Sequence, residues 1–174
     1  MTLDHLWAGW RAAYVGSTGA DSTGTADADR PAAPACVFCA ILDSALPDAD
    51  RLVVAEGSEV VVIMNAYPYS TGHVMAVPRR HIRELDELTP AEEAELWATV
   101  SAAVSALKRA YRPDGCNVGL NLGRAAGAGV PGHLHVHVVP RWIGDTNFMT
   151  SVAGTRVLPE ALGESWRRVR AAWS

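Results

Sequence analysis

Three histidines alternate with aliphatic residues in Gly132-His133-Leu134-His135-Val136-His137-Val138-Val139-Pro140, and they are half of the six in the chain. Strict alternation is the pattern of a β-strand, whose successive side chains point to opposite faces. Leu134, Val136 and Val138 would face a core, and His133, His135 and His137 would share the other face roughly 6.5–7 Å apart. Imidazoles at that spacing can address one phosphate or one metal ion. Histidine can act as nucleophile, acid, base or ligand. The competing interpretation is a polar face turned to solvent, but exposed strand positions take Thr, Lys or Glu more readily than clustered His. Pro140 has no N–H to donate and is expected to end the pairing.

Two further groups carry chemistry. Cys36-Val-Phe-Cys39 is half a zinc site, a redox pair, or two unrelated buried thiols. A redox pair normally opens a helix after a strand, and no strand pattern precedes this one. The other group is the loop Gly123-Arg-Ala-Ala-Gly-Ala-Gly-Val-Pro-Gly132, which holds four glycines in ten residues. Such a loop lets backbone approach a ligand, and consecutive N–H groups can form an anion nest. It lacks the Gly-Lys-Ser/Thr ending of a P-loop. Beside the histidine strand it reads as a phosphate cradle.

The elements that must position these groups follow from pattern. Leu52–Glu56 and Glu59–Asn65 are two strands around a Gly57-Ser58 turn, the second nearly all apolar and therefore interior to a sheet. Asn65–Gly72 is a loop on its turn residues, and His73–Pro78 a third strand. Thr89-Pro-Ala-Glu92 is a helix start, with Thr as N-cap, Pro at the first position and an acid three residues on. Leu96, Val100, Val104 and Leu107 form its buried stripe, and it ends near Arg112-Pro113. Cys116–Leu122 is a fourth strand, and Leu158–Trp173 a closing amphipathic helix. At the N-terminus, Leu3, Leu6, Trp7, Trp10 and Tyr14 recur at helical spacing, so 1–15 is expected to be an amphipathic helix packed on the body or on a partner subunit. Residues 16–35 are small, polar and Pro-interrupted, as in a flexible linker. The main domain is 36–174.

Composition narrows the class. A chain of 174 residues has room for one domain with a proper core. A net charge of −4 offers no basic surface for DNA or RNA. No apolar run approaches the ~20 residues that cross a bilayer, and the first residues lack the pattern of a signal peptide. Three cysteines argue against a disulfide framework. The expectation is a cytoplasmic protein without membrane contact.

Asn65 after a strand, Gly72-His73, Pro78-Arg-Arg-His81, Gly119-Leu-Asn-Leu-Gly123 and the alternating histidines occur together, in that order. The combination resembles the histidine triad (HIT) family of nucleotidyl hydrolases and transferases, from about Cys36 to the C-terminus. Leu6-Trp7-x-x-Trp10-Arg11 and Gly144-Asp-Thr-Asn-Phe-Met149 are similar to its bacterial diadenosine polyphosphate hydrolase or phosphorylase branch. The resemblance implies an α+β fold, with an antiparallel sheet flanked by helices, and a homodimer built around the long helix and adjoining strand. It implies that His135 attacks the α-phosphate of a nucleotide and that a covalent nucleotidyl-histidine forms. His133 and His137 complete the catalytic set. His137 and the loop, including Gly127 and Gly129, would contact phosphate oxygens. Asn65 would bind ribose and Asn121 the phosphate side, with His73 and Trp142 also at the nucleotide. Val37, Phe38, Ile41 and Ile63 would line the base pocket. A structural zinc ion on Cys36, Cys39, His81 and His133 is implied as well, the last two being the histidine after the Pro-basic motif and the first of the triad.

No Asp or Glu cluster lies near the triad in sequence, so the protein side offers no catalytic Mg²⁺ site. Gly129 departs from the polar side chain that eukaryotic dinucleotide hydrolases carry four residues before the first triad histidine, which leaves substrate and acceptor open. Two rival readings are a non-catalytic nucleotide-binding or scaffold protein that keeps the pocket, and a metal-handling protein. The second would leave Asn65 and the Gly-rich loop without a role.

Overall fold

The computed structural model describes residues 36–145 and 158–173. The expected N-terminal helix over 1–15 and linker over 16–35 lie outside the described residues. The described chain opens with α1 (Val37–Leu42) and the short α2 (Asp48–Arg51), followed by β1 (Val53–Glu56), β2 (Val60–Met64) and β3 (Val74–Pro78). The long α3 (Pro90–Tyr111), β4 (Gly115–Gly119), β5 (Val136–Arg141) and α4 (Leu162–Ala172) complete it.

All strand pairings are antiparallel, in the order β1-β2-β3-β5-β4. The last strand in sequence is thus inserted beside β3, and β4 is left at an edge. The two faces of the sheet carry separate apolar clusters. Val60, Val62, Met64, Val74, Leu134, Val136 and Val138 meet Leu96, Val100, Ala103 and Leu107 of α3 and Val169 of α4. Val61, Ile63, Met75 and Val77 meet Phe38 of α1 on the other face. β2 is buried at every position because it feeds both clusters, as its unbroken apolar run requires.

Helix α3 starts as its first residues dictate. Thr89 Oγ1 accepts from the Glu92 N–H, while Glu92 Oε2 accepts from the Thr89 N–H at 2.7 Å. Its buried stripe is Leu96, Val100, Ala103 and Leu107, with Val104 half-buried at the margin. The helix stops where Arg112 turns left-handed. α4 begins at Leu162 rather than Leu158, after a segment in which Glu160 accepts from Tyr111 Oη and Ser165 Oγ.

The histidine strand differs from its expected span. The ladder begins at Val136, three residues after His133, because β3 pairs no further than Ala76 opposite Val136 and β4 ends at Gly119 opposite His137. For the same reason β4 stops short of Leu122. Before Val136 the chain is held by the Leu134 N–H donating to the Ile82 carbonyl at 2.6 Å. Pro140 does not end the strand. It pairs with Cys116 of β4, and pairing with β3 has already stopped at Val138, so its missing N–H falls where only one side is partnered.

Candidate active site

The alternation of the histidine segment survives in three dimensions. Leu134, Val136 and Val138 enter the helix-side cluster, and the three imidazoles lie on the other face. They are not turned to solvent: His133 and His135 are buried, and His137 is half-buried. Phe38 covers them, with its ring 5.4 Å from that of His133 and 5.0 Å from that of His135. The rings of His135 and His137 are 4.8 Å apart.

Backbone groups set which nitrogen of each ring is available. His135 Nδ1 lies 2.8 Å from the His133 carbonyl, which can only accept. The proton of neutral His135 is therefore on Nδ1, and Nε2 keeps its lone pair. His135 as a whole is buried, with 5% of its surface exposed. Burial pushes His133 and His135 below the ordinary histidine pKa, and burial together with the neighbouring His135 takes His137 down to about 4. All three are neutral near pH 7, the form in which imidazole is a nucleophile or ligand.

His133 faces the other way. Its Nε2 donates to the Pro78 carbonyl at 2.8 Å, which leaves Nδ1 as acceptor. That nitrogen is 3.3 Å from Cys36 Sγ and 3.6 Å from Cys39 Sγ, and His81 Nδ1 is 3.2 Å from Cys39 Sγ. The four ligand atoms all lie within 4.8 Å of one another. Around a tetrahedral Zn²⁺ with ordinary bond lengths, sulfur and nitrogen ligands stand about 3.5 Å apart. The donor set and its spacing therefore fit a metal ion. Burial first, then the neighbouring Cys36, raise the Cys39 thiol. Of the choices left open at Cys36-x-x-Cys39, the geometry fits a set of four side chains able to hold a metal ion, which α1 and the turns at His81 and His133 assemble from three parts of the chain.

The remaining expected residues divide. His73 is fully buried, with Nε2 3.0 Å from His137 Nδ1. Asn65 takes the Tyr67 N–H on Oδ1 and brings Nδ2 to 3.3 Å from His73 Nδ1, so it too belongs to the triad's surroundings. Asn121 lies two residues past Gly119, the last residue of β4 and the register partner of His137. Phe38, Ile63 and Ile41 collect in one apolar cluster on the triad face, whereas Val37 is 49% exposed and stands outside it. In the Gly-rich loop, the Gly127 N–H is used by the Arg124 carbonyl at 2.9 Å within a tight turn; Gly129 is exposed with open space around it. Trp142 is not brought to the triad: its ring packs edge-on against Tyr111 at 6.1 Å, on the helix side of the sheet.

Tyr69 was not foreseen. Its ring lies 4.6 Å from that of His73 and 5.6 Å from that of His137, so it walls the site. Its place in the loop just before Gly72-His73 was the only signal. Gly72 itself has φ +80°, and a Cβ there would meet Tyr111 at 2.6 Å. Glycine is therefore required to hand the chain to His73.

The HIT domain family model matches residues 47–142. An AP-4-A phosphorylase of Mycobacterium tuberculosis is 43% identical over 172 residues, covering 99% of this chain and 85% of that protein. The asymmetrical bis(5'-nucleosyl)-tetraphosphatase of Schizosaccharomyces pombe is 35% identical over 78 residues, 45% of this chain and 42% of that protein. Among solved structures, a Zn-bound histidine triad family protein from Mycobacterium smegmatis superposes with a TM-score of 0.65 at 32% identity, covering 80% of this chain and 93% of that one.

Proposed function

The chain belongs to the HIT domain family, and from that premise we propose that it is a nucleotidyl transferase that cleaves a dinucleoside polyphosphate at the α-phosphate through a covalent adduct on His135. The observation that carries this reading is the hold of the His133 carbonyl on Nδ1–H of His135, which leaves the lone pair of the neutral ring on Nε2. In the first step Nε2 bonds to phosphorus, the bond to the leaving phosphate oxygen breaks, and the electron pair departs on that oxygen. In the second step an acceptor oxygen bonds to the same phosphorus and the P–N bond breaks. Splitting one displacement into two lowers each barrier. The His137 ring beside the nucleophile supplies a donor for charge on the phosphoryl group. Similarity to an AP-4-A phosphorylase over nearly the whole chain supports inorganic phosphate as the acceptor.

A zinc ion on Cys36, Cys39, His81 and His133 acts structurally in this reading, fixing the start of the triad segment. Asn65 binds ribose hydroxyls, Asn121 and Gly129 border the phosphates, and Ile41, Phe38 and Ile63 wall the base. The protein works as a homodimer, which the open edge strand β4 supports. No helix among the described residues is long and apolar enough to cross a membrane.

Rapid quench with nucleotide-labelled diadenosine tetraphosphate tests the central claim. Wild type should yield an acid-labile, base-stable adduct, and added phosphate should convert it to a nucleoside diphosphate. His135→Asn should bind nucleotide while losing several orders of magnitude in rate. Turnover of His135→Asn near that of wild type would sink the assignment.

A further inference from the structure

Each phosphate of a polyphosphate chain carries negative charge, and a protein meets such charge best with arginine. Among the described residues, every arginine but two makes an ion pair with a carboxylate or donates to a main-chain carbonyl. The side chains of Arg112 and Arg124 do neither, and nor does that of Lys108. Lys108 and Arg112 lie on and just after α3, which packs on the face of the sheet opposite the triad. Arg124 stands in the Gly-rich loop, exposed. That loop follows β4, whose last residue Gly119 is opposite His137. It closes on itself, with the Gly127 N–H donating to the Arg124 carbonyl at 2.9 Å and the Ala128 N–H to the Gly123 carbonyl at 3.4 Å. Ala128 is buried, and Val130 packs against the cluster that Phe38 and Ile63 form on the triad face. The His133 N–H then donates to the Val130 carbonyl at 3.4 Å, so the loop runs directly into the triad. Open space surrounds Gly123, Gly127 and Gly129. An uncommitted guanidinium is thus held in a closed turn between β4 and the nucleophile's strand.

We propose that Arg124 binds phosphate at the leaving-group position opposite His135, first the terminal phosphate of the departing nucleotide and then the incoming inorganic phosphate, and so selects phosphate over water as acceptor. The proposal rests on the nucleotidyl-transfer reading and deepens it. Entering and leaving groups stand roughly in line at phosphorus. His135 Nε2 enters in the first step, so the polyphosphate departs from the side opposite it. Nε2 is the leaving atom in the second step, so the acceptor enters on that same side. One subsite therefore serves both groups. In the second step an unprotonated oxygen of dianionic phosphate bonds to phosphorus, the P–N bond breaks, and its electron pair returns to Nε2. The product is a nucleoside diphosphate, and no proton has to move. Water in the same place would have to give a proton to a base, and it offers no charge for the guanidinium to hold. Arginine keeps its charge at any working pH and grips two phosphate oxygens at once, so it raises the local occupancy of phosphate and not of water.

The test compares the full chain with Arg124→Ala and Arg124→Lys, both at an exposed position. With diadenosine tetraphosphate as substrate and inorganic phosphate varied, Arg124→Ala should raise the KM for phosphate at least about tenfold, as loss of a charge-assisted pair does. Its products should shift from nucleoside diphosphate toward monophosphate. Arg124→Lys, which keeps the charge and loses the fork, should fall between the two. Binding supplies a readout without turnover. In a His135→Asn background, Arg124→Ala should weaken ATP at least about tenfold and AMP less than about threefold, because AMP has no phosphate in the leaving-group position. An Arg124→Ala protein with the wild-type product ratio and phosphate KM would overturn the proposal, and so would equal losses for ATP and AMP. A protein whose preference for ATP over AMP depends on Arg124 but that turns over no dinucleotide would refute the nucleotidyl-transfer reading and leave the phosphate subsite standing.

Discussion

His133, His135 and His73 each have one ring nitrogen bound to a main-chain group that cannot change role, so the backbone selects which nitrogen is left to react. This could not be seen in the sequence. Alternation showed which side chains share a face, but ring-nitrogen selection depends on carbonyls and N–H groups placed by the fold. Residue types were legible where chemistry narrows them, as at the two cysteines and the triad. They were not legible where a residue serves twice. Glu92 was recognisable as a helix-capping acid, yet it also takes Arg80 in two hydrogen bonds of 2.8 Å. Arg80 first, then the Thr89 N–H, hold its pKa well below the ordinary 4.5, at about 2. A depressed pKa adds stability that is fully present above the unfolded value and lost as pH falls through the folded one. Wild type should therefore be more stable than Glu92→Gln at pH 7, and the difference should shrink between pH 4.5 and about 2. Chemical denaturation of both proteins across that range checks this. A stability gap that stays constant down to pH 2 would show that the Glu92 charge contributes nothing.

At the scale of elements, local signals predicted α3 and the apolar strands well, because the Thr89 capping box and the run Val60–Met64 each act within a few residues. The insertion of β5 between β3 and β4 was hidden, since it is decided by which strand buries the Leu134, Val136 and Val138 face under α3. At the Cys36 turn the ligand set was legible through the family resemblance, not through local pattern. Its cysteines are local, but the two histidines come from turns that only the sheet order brings together. The four potential ligands come from α1, the segment after β3 and the entry to β5, and Phe38 of the same helix lies over His133 and His135. If these residues hold the proposed zinc, its removal should loosen α1 as a unit and leave the α3 side of the sheet intact. Elemental analysis of protein purified without a metal-affinity tag should find close to one zinc per chain. Cys36→Ser should lose it, with a lower melting temperature and faster amide exchange over 37–42 than over 90–111. Less than a few tenths of a zinc per chain, unchanged in Cys36→Ser, would remove the metal from the account.

At the scale of the molecule, the sheet ends at β4 among the described residues. β4 pairs on one side only, with β5, and its outer N–H and C=O groups face no strand among the described residues. Edges of soluble proteins are normally protected by charge, by Pro or by a covering segment. β4 reads Gly115-Cys-Asn-Val-Gly119, without a charged residue, and Val118 is 45% exposed. Trp97 on α3, at 42%, adds an exposed aromatic of the kind enriched at protein interfaces. An uncharged open edge beside unburied apolar side chains fits an isologous dimer, in which β4 meets the same strand of a second copy. The triad strand lies next to β4, with Gly119 opposite His137, so such a dimer would also brace the His137 ring. Sedimentation of the full chain at micromolar concentration should give a dimer. Val118→Glu would set two like charges near each other across the two-fold axis and should weaken the dimer by at least about tenfold. Its phosphorolysis rate should fall in step with the dimer fraction as protein is diluted. A wild-type protein that sediments as a monomer at those concentrations with full activity would show that the β4 edge is protected by some means other than a second copy.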